Sequence, residues 1–163
     1  MELREIQRPL KERYRAQPEA ARITLRAQGL ATDSPMACSV DLGRALYAAQ
    51  AHAGVGGSGT AACSGDLLLG ALAACAQLTA QMVAANMGLS VERLEVTVEG
   101  DLDLRGTLGV DPDAPVGFEA IRIRFEVVAP GASEEQLAKL RDRAERYCVV
   151  LQTLRRPPPI DAE

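Results

Sequence analysis

From Ala45 to Val91 the chain runs for 47 residues without a lysine or arginine, and Asp66 is the only formal charge in that stretch. Inside it, Leu67 to Met87 is apolar on nearly every face of a helix. Ser64 as N-cap, Asp66 in the first turn and Gly88 as a stop signal predict a helix of about 24 residues, roughly 36 Å long. A helix of this kind needs enclosure on all sides, which one small domain rarely provides, so a second copy of the chain would help cover it. Gln77, Thr79 and Gln81 interrupt the run and no basic residues flank it, so it reads as a core helix and not as a membrane span.

The rest of the chain is organised around that helix as a single domain, residues 1–163. Residues 1–20, with Pro9 and Pro18, read as an N-terminal arm. Ile23–Ala27 and Ala37–Asp41, separated by the turn residues Gly29, Asp33, Ser34 and Pro35, predict a hairpin, with a third strand at Ala45–Ala49. Gly54-Val55-Gly56-Gly57-Ser58-Gly59 spells a dinucleotide-type glycine pattern. However, five residues separate Gly59 from Ser64 and no acid follows Asp66 until Glu92, so the segment reads as a flexible loop. Leu94–Gly100 and Ile121–Val127 alternate as half-buried antiparallel strands around a long turn region, 101–117. Ser133 with Gln136 opens a second helix as a capping box, and Leu137, Leu140 and Ala144 form its apolar stripe. Residues 155–163 form a Pro-rich tail.

Composition narrows the function. Aromatic residues are only 3% and Trp is absent, so the core is built from Ala, Leu and Val. A net charge of -4 argues against a nucleic-acid surface, which needs clustered Lys and Arg. Met1-Glu2-Leu3-Arg4-Glu5 mixes charges where a secretory signal needs a basic start and an apolar core. The expectation is a cytoplasmic protein whose 4 cysteines are reduced thiols, any disulfide being transient and chemical.

Two of those cysteines invite chemistry. Cys75 lies in mid-helix and Cys148 just after the charged run Glu134–Arg146. A free thiol titrates near ~8.5 and is about 3% thiolate at pH 7, and apolar burial makes this worse. By pattern alone Cys75 reads as packing, because unpaired cysteine usually behaves as a small hydrophobe. To react it needs a cation from elsewhere in the fold: Arg22, Arg26, Arg44, Arg105, Arg143 and Arg146 are the candidates. Leu72, Thr79 and Met82 share the helical face of Cys75 and would make an apolar substrate pocket. Cys63, next to the helix start, reads either as a second reactive thiol or as a small residue at a loop–helix junction. With His52 it lacks any metal-ligand spacing, and Cys38 reads as packing.

The segment Asp66-Leu67-Leu68-Leu69-Gly70-Ala71-Leu72-Ala73-Ala74-Cys75, followed by Gly88-Leu89-Ser90-Val91 and the strand ending Gly100-Asp101-Leu102-Asp103, resembles the centre of the OsmC/Ohr family of thiol peroxidases. So does Ala144-Glu145-Arg146-Tyr147-Cys148-Val149-Val150 with Thr153-Leu154. The resemblance spans about residues 60–154. It implies an α+β, OsmC-like fold, with antiparallel sheets packed around long central helices in an intertwined homodimer. It also implies reduction of organic hydroperoxides without a cofactor. Cys75 would attack the peroxide and become a sulfenic acid, and Cys148 would resolve it to a disulfide. An external dithiol, a lipoylated protein in some members, would reduce the disulfide. No nucleic acid or membrane is expected as a partner. Gly65 stands where many members carry a Glu ten residues before the reactive Cys, Asp66 fits members with the acid at nine, and Val149 replaces a common Pro. Arg44 or Arg22 would activate the thiolate. Two other readings are a noncatalytic protein of this fold that binds an apolar ligand, and a thiol redox sensor.

Overall fold

The computed structural model describes residues 28–31, 37–41, 46–109 and 111–162. The N-terminal arm, Ile23–Ala27, Arg22, Arg26 and Arg44 lie outside them. The described residues fall into two compact units, one comprising 70–99 and 122–162, the other the described part of 28–69 with 100–121.

In the first unit the long helix α1, Ser64–Met87, contributes residues from Gly70 onward. It ends as predicted at Gly88, whose φ of 69° allows a Schellman closure. The Leu89 amide reaches the Ala84 carbonyl at 3.1 Å and the Gly88 amide reaches Ala85 at 3.1 Å. Strand β4, Arg93–Asp101, pairs with β5, Ala120–Val128. Both alternate strictly between half-buried and exposed residues, the signature of a sheet with one covered face. Leu94, Val96 and Val98 point inward with Ile123, Phe125 and Val127. The Gln77 side chain ties α1 to β4 by donating to the Leu94 carbonyl at 2.8 Å.

Helix α3, Glu134–Tyr147, starts with the predicted capping box. The Ser133 hydroxyl accepts from the Gln136 amide at 3.2 Å, and the Gln136 carboxamide accepts from the Ser133 amide at 2.8 Å. Leu140, 1% exposed, then packs with Val83 and Ala84, and Met87, Leu89, Val91, Leu94 and Val127 close over them. This cluster is aliphatic and sulfur-bearing, as the shortage of aromatic residues requires. A further short helix α4, Val149–Arg155, follows after Cys148.

Within one chain α1 is covered on one side. Its buried residues, including Leu72, Ala76, Thr79, Ala80, Val83 and Ala84, all lie on one side. Leu78 is 59% exposed and Met82 40%, and Ala71, Ala74 and Ala85 are exposed with them. The helix is therefore half-covered within one chain.

In the second unit β1, Gln28–Ala31, β2, Ala37–Asp41, and β3, Leu46–Gln50, form an antiparallel meander in the order β1-β2-β3. Gln28 pairs with Asp41 and Cys38 with Ala49. Gly29 thus belongs to a strand and not to the turn. The glycine-rich segment opens with an ordered turn. A 3-10 turn spans Ala53–Val55, and the Val55 and Gly57 amides both reach the His52 carbonyl, at 2.9 and 3.1 Å. Gly56 sits at φ 95° and Gly59 at φ 69°, backbone conformations that glycine adopts without strain. Residues 101–117 are likewise more than a turn. Asp103 caps the short helix α2, Leu104–Thr107, and Arg105 bridges Asp103 at 3.0 Å and Asp111 at 3.1 Å.

Candidate active site

The apolar middle of α1 places Cys75 half-buried, and the break between α3 and α4 places Cys148 fully out of solvent. Cys148 has the extended conformation φ -72°, ψ 107° and serves as cap for both helices. Its amide closes α3 on the Ala144 carbonyl at 3.1 Å, and its carbonyl accepts the Gln152 amide of α4 at 2.9 Å. A helix start leaves its first amides without intrahelical acceptors. Here the start of α4 lies near the two thiols, and the Val150 and Val149 amides bear on the titration of Cys75 as the Leu151 and Val150 amides do on that of Cys148.

The two thiols are shifted in opposite directions. Burial pushes the Cys75 thiol up, but the Val150 amide, the Cys148 thiol, the Val149 amide and the Thr79 hydroxyl together hold it below the ordinary thiol value. Thr79 contributes least, and its single proton is committed to the Cys75 carbonyl at 2.7 Å. Burial also pushes the Cys148 thiol up. The Leu151 amide opposes this, but the hydrogen bond to Cys75 and the charge of Cys75 add to it, and Cys148 ends above the ordinary value.

The sequence required an imported cation for this activation, whereas among the described residues Cys75 is lowered by neutral donors. Arg143 and Arg146 are exposed on α3, and Arg146 stands 5.8 Å from the Tyr147 ring centroid. Arg105 is held by Asp103 and Asp111, and Arg22 and Arg44 lie outside the described residues. Leu72 and Thr79 are buried beside Cys75 while Met82 is exposed, so the predicted pocket residues divide between the covered and open sides of α1. Sequence reasoning missed α4 and its amides. The signal was the run Val149-Val150-Leu151-Gln152-Thr153-Leu154, whose only feature is that nothing in it breaks a helix. Two side chains brace the α3–α4 elbow: Gln152 donates to the Glu145 carbonyl at 2.9 Å, and Arg155 meets the Glu145 carboxylate at 2.8 Å.

Asp66 and Cys63 belong to the second unit and serve each other. The Cys63 amide donates to Asp66 Oδ2 at 2.9 Å, and the Asp66 amide donates to Cys63 Sγ at 3.4 Å. The Leu67 amide reaches the Cys63 carbonyl at 3.0 Å. This is a capping box with sulfur in the hydroxyl's place, so the N-cap is Cys63, one residue before the predicted Ser64. The Cys63 amide and thiol hold the Asp66 carboxyl below its usual range against an opposing effect of burial.

The family model for OsmC-like protein matches residues 57–163. The chain belongs to the OsmC-like family. An OsmC-like protein from Mycoplasma pneumoniae has a similar solved structure, with a TM-score of 0.69 at 18% identity, covering 83% of this chain and 89% of that one. An organic hydroperoxide resistance protein OsmC from Legionella pneumophila matches with a TM-score of 0.60 at 20% identity, over 83% and 92%. One from Elizabethkingia anophelis with bound thiocyanate matches at 0.61 and 16%, over 84% and 91%. At these identities the structures establish the α+β OsmC-like fold of helices with small antiparallel sheets. No curated protein sequence matches the chain.

Proposed function

We propose that this OsmC-like protein is a thiol-dependent peroxidase that reduces organic hydroperoxides through Cys75 and Cys148. The observation that carries the reading is the unequal placement of two neighbouring thiols: Cys75 half-buried in mid-helix and Cys148 fully buried at the α3–α4 break, with Cys75 shifted down and Cys148 up in agreement. A peroxidase needs that asymmetry, with one sulfur ionised to attack and the other held as thiol until needed. The printed names of the Legionella and Elizabethkingia relatives, both organic hydroperoxide resistance proteins, support the same chemistry.

In the proposed cycle the Cys75 thiolate attacks the distal oxygen of ROOH, and the O–O bond breaks. The alkoxide takes a proton and leaves as ROH, and Cys75 becomes a sulfenic acid. The Cys148 sulfur then attacks the Cys75 sulfur, expelling the hydroxyl as water and closing a disulfide. An external dithiol, such as a lipoylated protein, reduces the disulfide by exchange and returns both thiols. The exposed side of α1, with Ala71, Leu78 and Met82, supports an intertwined homodimer in which the partner's copy covers it. The test is turnover of cumene hydroperoxide with dihydrolipoamide. The reading requires turnover that Cys75→Ser abolishes, and turnover surviving that substitution would overturn it.

A further inference from the structure

The second unit contains a cavity of about 230 Å³ that the peroxide chemistry does not use, with His52, Cys63 and Asp66 beside walls of Leu69, Leu102, Leu104 and Phe118. Gly65 keeps it open. A Cβ there would stand 3.4 Å from Phe118 Cζ, 3.5 Å from Cys63 Sγ and 3.8 Å from Leu102 Cδ1, so a side chain would fit and would fill the space. Gly100 also lines it and is packed tightly, since a Cβ there would strike Phe118.

We infer that this cavity is a second small-molecule site, which takes a neutral apolar electrophile of the α,β-unsaturated ketone class and holds it covalently on Cys63. The walls select an apolar body, and the volume exceeds the ~150 Å³ in which an apolar cavity accommodates benzene. The Asp66 carboxylate disfavours an anionic ligand. Cys63 Sγ accepts only the Asp66 amide, at 3.4 Å, among the hydrogen bonds of the described residues. His52 Nδ1 accepts the Gly54 amide at 3.0 Å, so in the neutral ring the proton sits on Nε2, a donor for the ketone oxygen. In the addition the sulfur bonds the β-carbon, the C=C π bond breaks, and the thiol proton ends on the α-carbon. No further reactant is needed.

The experiment uses the full chain with Cys75→Ser and Cys148→Ser, so its outcome is independent of the peroxidase reading. The probe is 2-cyclohexen-1-one, with modified cysteines located by peptide mass spectrometry. Adduct formation at Cys63 should saturate with probe concentration and be suppressed by the unreactive cyclohexanone. Gly65→Leu should slow it about thirtyfold, the discrimination that burial of a small apolar ring supplies, while helical circular dichroism is retained. A rate at Cys63 that is linear in probe and indifferent to cyclohexanone overturns the site. That arm decides the matter even if Gly65→Leu does not fold.

Discussion

The Cys148 thiol bears directly on Cys75, favouring ionisation there, while the charge that results on Cys75 holds the proton on Cys148. The pair therefore loses its protons in two coupled steps.

Alkylation rates should separate the two steps. Only thiolate reacts, so as pH falls Cys148 should lose reactivity first, and Cys75 should stay reactive below the pH at which an ordinary thiol stops. Cys148→Ala removes the S–H donor and should move the Cys75 midpoint up, whereas Cys148→Ser keeps a donor and should move it less. Iodoacetamide labelling across pH, read by peptide mass spectrometry, checks both.

The elbow that aims the amides should matter more than its surface ion pair. Gln152→Ala removes a part-buried hydrogen bond to the Glu145 carbonyl and should slow Cys75 alkylation at neutral pH about fivefold. Arg155→Ala breaks a bridge between half-exposed side chains and should change the rate less than about twofold. Equal effects would show that the elbow does not depend on Gln152.

Much of this architecture was legible in residues whose signals are local. Gly88 stops α1 because a positive φ is needed there, and Ser133 with Gln136 opens α3 because the box is a short-range pattern. The alternation in β4 and β5 identified their covered face. The start of α1 was misread by one residue, since Cys63 caps through sulfur in a place where Ser64 offered a conventional hydroxyl. The cations favoured for Cys75, Arg44 and Arg22, lie outside the described residues, and the contribution of the α4 amides was not legible because backbone amides have no letter in a sequence. Val149 and Val150 act through groups that every residue but proline carries, and the elbow at Cys148 begins the helix that holds them.

Packing at Leu140 should dominate the stability of the first unit. Leu140→Ala empties a position 1% exposed against Val83 and Ala84 and should cost about 2–5 kcal/mol. Ser133→Ala removes half of the capping box and should cost about 1 kcal/mol. Urea denaturation followed by circular dichroism gives both values.

The proposed homodimer makes the exposed side of α1 sensitive to charge. Leu78→Asp places a carboxylate where the residue is 59% exposed in one chain and covered in the pair, and should weaken association about a hundredfold or more. Sedimentation velocity reads the change, and an unaltered dimer would place the interface elsewhere.

The central claim is that Cys75 attacks and Cys148 resolves, and one single-turnover experiment tests it most directly. Cys148→Ser protein is mixed with one equivalent of cumene hydroperoxide, trapped with dimedone and analysed by mass spectrometry, alongside unaltered protein treated without the trap. The predicted result is a dimedone adduct on Cys75 in the variant and a Cys75–Cys148 disulfide in the unaltered chain. An unmodified Cys75 in both samples, with the peroxide unconsumed, would contradict the account.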